Sequence, residues 1–323
     1  MKKLLIPVLA LMASGTYAQT YFEDDFSGGI GDWTLTDSDG DGFEWDAVDY
    51  GTGDGHGNVA SSASWDSGDG ALNPDNWMVA GPIDLSAATG TVVLQWTVKA
   101  QDPDWTAEQY TAYAGTSGDI GDLTGSPYSL NEVIGGTGDE YVLRSLDVSA
   151  LSGESDVYVA FRHHDVSDQF RLNIDDVTVR TLLDWDIKMV SVTTAAVVEE
   201  GSVDITGSVQ NNGANTITSF ELDWNDGTAH SETITATIES GEIYNFTHPT
   251  SLSATSGESY DMDICATVDS DGDASNNCMN YIVSCVAEIP TKYVVGEEKT
   301  GTWCGWCPRG AVALEEMESE PLF

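Results

Sequence analysis

Short runs in which apolar and polar residues alternate dominate this sequence. In TVVLQWTVKA, Val92, Leu94 and Trp96 have one parity, and the polar Gln95 and Thr97 fall among residues of the other. A period of two places alternate side chains on opposite faces of a strand. The run DVYVAFRHH repeats this pattern, and Gly, Asp, Ser and Thr separate one run from the next. The sequence therefore predicts a mainly β chain of half-buried antiparallel strands, arranged as sandwiches or jelly rolls.

The run QFRLNIDDVTVR contains a change of phase. Leu172 and Ile174 share one parity, whereas Val177 and Val179 have the other. One extra residue near Asp175-Asp176 would return both sets to the core, so we predict a β-bulge there. Because a bulge redirects a side chain, the paired carboxylates at this position suit a metal ligand.

The segment DSDGDGFEWD carries a second acidic cluster. Asp37, Asp39 and Asp41, followed by Gly42, fit the first half of an EF-hand calcium loop. Position twelve of that loop is Val48 instead of the bidentate Glu, so the segment is not an EF-hand. Alternate carboxylates spaced by Gly can still converge on one Ca²⁺ ion. The alternative is a solvated Asp/Gly turn.

Three stretches of the first half resemble the bacterial cleaved-adhesin family, which is related to MAM-type jelly rolls. They are YFEDDFSGGIGDWTLTDSDGDGFEWD, NPDNWMVAGPIDLS and LNIDDVTV. The resemblance covers about residues 21 to 180 and implies a jelly-roll sandwich on a surface protein, with structural calcium near the first and last strands. By position it implies ligands from Glu23, Asp25, Asp37, Asp39 and Asp41 near the first strand and from Asp175 and Asp176 on the last. It implies adhesion through a glycan or protein ligand, not catalysis.

Aromatic and histidine side chains of the first half offer further candidates. Five tryptophans either line a sugar site or fill the core, which is the commoner position for this side chain: Trp33, Trp45, Trp65, Trp77 and Trp105. His163 and His164 stand at a strand end. No motif places a nucleophile beside them, so we expect no catalytic role.

The second half repeats the alternation in shorter strands. FELDWNDG places Phe220, Leu222 and Trp224 inward and turns at Asp226-Gly227. Strands of this number and spacing predict a seven-stranded immunoglobulin-like sandwich. The stretch resembles a bacterial cell-adhesion-related Ig-like module, whose final hairpin the turn DSDGDASNN matches. In that family the turn is structural, so we do not count its aspartates as a calcium site.

The predicted final hairpin places two cysteines opposite each other. With Cys265 facing Cys278, Ile264 faces Met279 and Met262 faces Tyr281, so every pair on the core side is apolar. This register supports a structural cross-strand disulfide. Two free thiols are the alternative. Cys285 has no obvious partner.

The first residues, MKKLLIPVLALMASGTYAQT, resemble a secretory signal peptide with cleavage after Ala18. The apolar run is too short to span a bilayer, and no later segment is a transmembrane candidate. The formal net charge of −43 disfavours nucleic acid and anionic lipid as partners. We therefore expect a secreted or cell-surface protein.

Near the end of the chain, TGTWCGWCPRG follows the strand-like TKYVVGEE and precedes a helical run. Strand, CxxC and helix in this order are typical of a thioredoxin-like redox site. Cys304 would be the nucleophile, since a helix N-terminus stabilises its thiolate, and Cys307 would resolve the mixed disulfide. The segment resembles a thioredoxin-like domain that a bacterial outer-membrane-protein family attaches to β-modules. A zinc half-site and a structural disulfide are the alternatives.

The sequence ends at Phe323, well short of the roughly 100 residues that one such domain needs. We therefore expect the redox segment to be truncated and inactive. The predicted organisation is a signal peptide at 1–18, a jelly roll at 19–181, an Ig-like sandwich at 182–286 and a thioredoxin-like fragment at 287–323. The predicted function is adhesion-type binding. The alternative is a thiol–disulfide oxidoreductase, acting on a dithiol or disulfide protein, with the β-modules as spacers.

Overall fold

A computed structural model describes residues 18–51, 56–135 and 140–289. The predicted signal peptide at 1–18 and the predicted thioredoxin-like fragment at 287–323 lie outside the described residues, apart from residue 18 and residues 287–289. Cys304 and Cys307 also lie outside them. The described part is built mainly of β-strands, as predicted. Within it, no helix is long and apolar enough to cross a membrane.

The first half of the chain folds into two large antiparallel sheets and one small two-stranded sheet. The strands are β1 (Thr20–Asp24), β2 (Thr34–Asp37), β3 (Asp46–Asp49), β4 (Asn58–Ala63), β5 (Trp65–Asp66), β6 (Gly70–Ala71), β7 (Asn76–Ile83), β8 (Val92–Ala100), β9 (Gln109–Gly115), β10 (Tyr128–Val133), β11 (Val142–Asp147), β12 (Val157–His163) and β13 (Arg171–Thr181). A short helix α1 (Ile120–Thr124) and a 3₁₀ turn at Ser149–Leu151 complete the set. One sheet has the order β11-β8-β13-β4-β3 with β1 also on β13, and the other has the order β10-β9-β12-β7-β2.

A single hydrophobic cluster fills the space between these sheets. Leu94 and Trp96 from β8 meet Val159 and Phe161 from β12 in it, and each of these side chains is fully buried. The Trp96 and Phe161 rings cross edge to face, with 5.3 Å between their centroids. Aromatic pairs in this geometry add to the stability gained from burial.

Strand β8 is buried on both faces, and the expectation of a half-buried strand is wrong here. Gln95 and Lys99 point away from the core, yet both are buried. Arg180 covers Gln95, donating from Nε to its Oε1 at 2.7 Å, and the Lys99 ammonium lies 4.7 Å from the Tyr141 ring centroid. Long side chains from neighbouring strands therefore close the outer face of this central strand.

The β-bulge predicted at Asp175-Asp176 is confirmed. Asp175 pairs with Thr97 of β8 and Thr178 pairs with Gln95, so three steps on β13 oppose two on β8. Asp176 takes up the extra residue with φ of 49°. At the bulge the other edge of β13 also changes partner, from β4 along 171–174 to β1 along 177–180.

The second half likewise forms two larger sheets and one small two-stranded sheet. Its strands are β14 (Ile187–Val192), β15 (Val197–Glu199), β16 (Gly201–Val203), β17 (Thr206–Asn211), β18 (Ile217–Asn225), β19 (Ala229–Ile238), β20 (Ile243–Thr247), β21 (Leu252–Ala254), β22 (Ser259–Thr267) and β23 (Cys278–Val286). Sheets of order β14-β17-β20 and β15-β23-β22-β18-β19 enclose a second hydrophobic cluster, which contains Phe220, Leu222 and Trp224 as expected. Seven of the strands have five or more residues, and three have three residues each.

The hairpin of β22 and β23 has the predicted register. Ile264 pairs with Met279, Met262 with Tyr281, and Cys265 with Cys278. A disulfide joins the two cysteines, whose Cα atoms are 4.1 Å apart. It lies on the face of the sheet that points away from the core.

Residues 182–186 connect the two halves and are held by loops of the second. Ala214 donates its N–H to the Leu183 carbonyl, and Gly272 donates to that of Trp185. A Cβ at Gly213 would stand 2.7 Å from the backbone N of Asp186, which explains a glycine at this close approach. Arg180 donates to Asn212 Oδ1 at 2.7 Å and links the last strand of the first half to the second.

Candidate functional site

The acidic loop after β2 is closed by its own carboxylates. Asp37 accepts the backbone N–H of Gly40 at 2.6 Å and that of Gly42 at 2.9 Å. These glycines have φ of 76° and 87°, a region that other residues rarely adopt. Asp41 accepts the N–H of Phe43 at 2.8 Å. The alternation of Asp and Gly thus folds the loop around its side chains.

Ligand atoms of Asp37, Asp39 and Asp41 lie within 4.8 Å of one another. The N–H groups of Gly42 and Gly40 lower the pKa of Asp37, whereas burial raises the pKa of Asp39. Carboxylate oxygens at this spacing are the donors that Ca²⁺ prefers. The three side chains therefore form one candidate metal group.

Carboxylates from the first strand approach the bulge. Glu23, Asp25 and Asp176 line a common cavity of ≈ 430 Å³ together with Asp24. Asp24 is committed to the fold, because its two oxygens accept the N–H of Phe26 at 2.8 Å and the indole N–H of Trp33 at 2.7 Å. Hydrogen bonds from Ser27 lower the pKa of Asp25, which keeps that carboxylate charged.

The other carboxylate of the bulge faces a histidine. His56 Nδ1 lies 2.7 Å from one oxygen of Asp175 and 3.5 Å from one oxygen of Asp176. Asp175 is 1% exposed, and burial raises its pKa to about 6. The His56 ring stacks on Tyr141 with 3.7 Å between centroids. Potential ligand atoms of His56, Asp175 and Asp176 lie within 4.8 Å of one another, so these side chains form a second candidate metal group.

The seven predicted carboxylates thus fall into a loop set and a bulge set. Sequence reasoning missed His56, which is 119 positions from Asp175 and belongs to no ligand motif. It also missed Glu108, which is fully buried against His163 with 2.9 Å between the carboxylate and Nε2. His163 Nδ1 in turn lies 2.8 Å from the Ser62 hydroxyl. This network is closed to solvent, so it stabilises the fold without serving as a binding surface.

Three of the five candidate tryptophans are buried, as in the commoner of their two expected positions. Trp33, Trp45 and Trp77 are 5%, 1% and 2% exposed, so they offer no stacking surface to a sugar. Trp105 is 50% exposed. Cys285 is a free, buried thiol, and burial raises its pKa, which disfavours the reactive thiolate.

The described residues thus form two mainly β sandwiches, with acidic side chains gathered at a loop and at a strand bulge of the first. Residues 20–179 match the family described as the Cleaved Adhesin Domain. The first sandwich of this chain is therefore a cleaved adhesin domain, as its sequence resemblance implied.

Relatives of this domain occur in much longer proteins. Hemagglutinin A of Porphyromonas gingivalis is 33% identical over 178 residues, which are 50% of this chain and 7% of the relative. Lys-gingipain W83 of the same organism is 33% identical over 173 residues, 48% of this chain and 10% of the relative. The chain thus spans a tenth or less of the length of these two relatives. The crystal structure of the K3 cleaved adhesin domain of Lys-gingipain is 30% identical and covers 51% of this chain and 99% of that domain, with a TM-score of 0.43.

Proposed function

We propose that this protein is a secreted or cell-surface adhesion protein whose first sandwich binds a glycan or protein ligand. The observation that carries the proposal is the cleaved adhesin domain at residues 20–179, shared with a protein named hemagglutinin. The formal net charge of −43 makes nucleic acid an unsuitable partner. The second sandwich, with the Ig-like organisation inferred from sequence, would hold the first at a distance from its attachment.

Binding to surfaces tests this proposal. The purified chain is applied to erythrocytes and to immobilised matrix glycoproteins, with heat-unfolded chain as the control. We expect saturable binding by the folded chain only. Equal retention of folded and unfolded chain would show non-specific adsorption and contradict an adhesion function.

We further propose that calcium supports the loops of the first sandwich. The donor sets are Asp37, Asp39 and Asp41 in the loop, and Glu23, Asp25, Asp175 and Asp176 around the bulge. Their oxygen atoms suit a hard cation, and an acidic field favours its capture. The ion would cross-link loops, so its role would be structural.

A second candidate function rests on the CxxC motif. Cys304 as nucleophile and Cys307 as resolving cysteine would exchange disulfides with a partner dithiol protein. Insulin reduction by the chain, with Cys304→Ser as control, measures this activity. Turnover that disappears in Cys304→Ser would establish an oxidoreductase, and turnover that persists in this variant would exclude the CxxC motif as its source.

A further inference from the structure

A polar groove opens at one end of the five-stranded sheet of the first sandwich. Its volume is ≈ 450 Å³, which is within the usual range for sites that hold small ligands. One wall is the segment 73–75 that leads into β7, and the other is the loop 164–167 that follows β12. Arg162, at the end of β12, lies between them. None of these residues belongs to either carboxylate set described above.

The floor of the groove is a fixed ion pair on an aromatic base. Arg162 donates from Nε to Asp75 Oδ1 at 2.6 Å and from Nη2 to Oδ2 at 2.9 Å. Its guanidinium lies 5.1 Å from the centroid of the Trp77 ring, which stacks on Tyr113. The Trp77 indole also donates to Asp75 Oδ1 at 3.1 Å. Because Trp77 contacts both Arg162 and Asp75, the ion pair is fixed and presents a donor next to an acceptor.

The wall at His164 is fixed in the same way. His164 Nδ1 lies 2.8 Å from Asp165 Oδ2, and Nε2 lies 2.8 Å from the Thr111 hydroxyl. The Asp165 carboxylate only accepts, so Nδ1 carries the proton of the neutral ring and Nε2 accepts from the Thr111 hydroxyl. That hydroxyl in turn accepts from the Asn131 amide at 2.6 Å. Burial lowers the pKa of His164, which keeps the ring neutral near pH 7. Asp165, with a side chain 76% exposed, offers a further acceptor at the mouth.

These charges restrict the class of ligand. Asp165 and Asp75 oppose an anion, and the Arg162 guanidinium opposes a cation because it already neutralises Asp75. The lining is polar, and Trp77 below it is covered, so an apolar ligand would gain little. A hydroxyl group donates and accepts at once, which matches an adjacent guanidinium and carboxylate.

We propose that this groove binds a neutral sugar residue of a glycan. Hydroxyls of the sugar bridge Arg162 and Asp75 on the floor and reach Asp165 at the mouth. The inference rests on the proposed adhesion function, for which it supplies a ligand class and a place.

A steric variant with a matched control tests the proposal on the full chain. Val166 lines the groove, and Val166→Trp would fill it. Val142 is 37% exposed on β11 of the other sheet, so Val142→Trp adds the same bulk away from the groove. Binding of free glucose, galactose, mannose and N-acetylglucosamine is followed by saturation-transfer NMR and titration. We expect at least one of these sugars to bind the wild type and Val142→Trp equally, and Val166→Trp to lose about tenfold or more in affinity.

A milder variant covers the case in which Val166→Trp fails to fold. Asp165 has φ of 53°, which Asn tolerates better than most residues, so Asp165→Asn keeps the backbone and removes the charge. We expect a loss of about tenfold in sugar affinity, the cost of one charge-assisted hydrogen bond.

The outcomes separate this inference from the adhesion proposal. Surface binding that survives Val166→Trp and Asp165→Asn, with none of the four sugars bound, would overturn the groove and leave adhesion standing. If the wild type bound a protein but no sugar, and both variants lost that protein binding, the groove would be a binding site but its ligand would not be a sugar. Absence of any surface binding by the wild type would remove adhesion itself.

Discussion

The two sandwiches differ in where they keep their ionisable side chains. The first buries a lysine, a glutamate, an aspartate and two histidines: Lys99, Glu108, Asp175, His163 and His164. The second buries Asp186 and His248 among its described residues and carries a disulfide on an outer sheet face. Buried ionisable side chains cost stability unless they are hydrogen-bonded or paired, so a domain that retains several has organised its interior around polar contacts. The candidate sites therefore lie in the first sandwich, and the second has fewer ionisable side chains in its interior.

The largest expected effect comes from the interior of the first sandwich. Glu108→Ala leaves His163 Nε2, the Ser64 hydroxyl and the Phe170 N–H without their partner. Each buried polar group left without its hydrogen-bond partner costs about 1–3 kcal/mol, so the free energy of unfolding should fall by at least about 3 kcal/mol. Urea unfolding measures the loss, with the exposed Glu154→Ala as control. Equal stability of the two variants would show that the buried polar contacts of the first sandwich do not contribute to its stability.

The second sandwich is expected to depend on its covalent link. The disulfide closes a loop with a sequence separation of 13, and removing a link of that size costs about 3 kcal/mol. We expect the double variant Cys265→Ser/Cys278→Ser to lower the unfolding midpoint of the second sandwich and leave that of the first unchanged. Reductant should affect the wild type and leave the double variant unaltered. A matching loss in the first sandwich would mean that the two halves unfold together.

Calcium removal should act on the first sandwich alone. An ion present at about 100 times its Kd stabilises by about 2.7 kcal/mol, and chelation removes that contribution. We expect EDTA to lower the Tm of the wild type and to have a smaller effect on Asp39→Asn. The same Tm with EDTA and with added calcium would eliminate the metal proposal.

The smallest effect concerns pH and His164. Burial lowers the pKa of its imidazole below the ordinary value of 6.5, so the folded state binds its proton less readily than the unfolded state. This contribution to stability is present above pH 6.5 and is lost as the pH falls through the folded value. Between pH 7.5 and 5.5 the wild type should therefore lose more Tm than His164→Gln. A parallel decline of the two proteins would show that this histidine has no part in the acid response.

Local patterns explain which parts of the structure were predictable. The bulge at Asp175 and the register that pairs Cys265 with Cys278 both follow from the parity of apolar residues along one or two adjacent strands. Contacts across the sandwich carry no such signal. His56 reaches Asp175, and Arg162 reaches Asp75, over separations of 119 and 87 positions. Both contacts are compatible with the strands that the sequence predicts, but they are determined only by how the sheets pack.

Strand β13 has a consequence for the order of assembly. Its second half pairs with β1, and the Tyr21 and Thr181 hydroxyls that meet there are 160 positions apart. A chain synthesised from its N-terminus must therefore keep Thr20–Asp24 unpaired until Arg171–Thr181 has emerged. Pairing at such distance is slow, because the closure entropy is lost before the contact compensates for it. The cleaved adhesin domain is thus completed only by its last strand, and any factor that shields the unpaired β1 edge in the meantime would raise its folding yield.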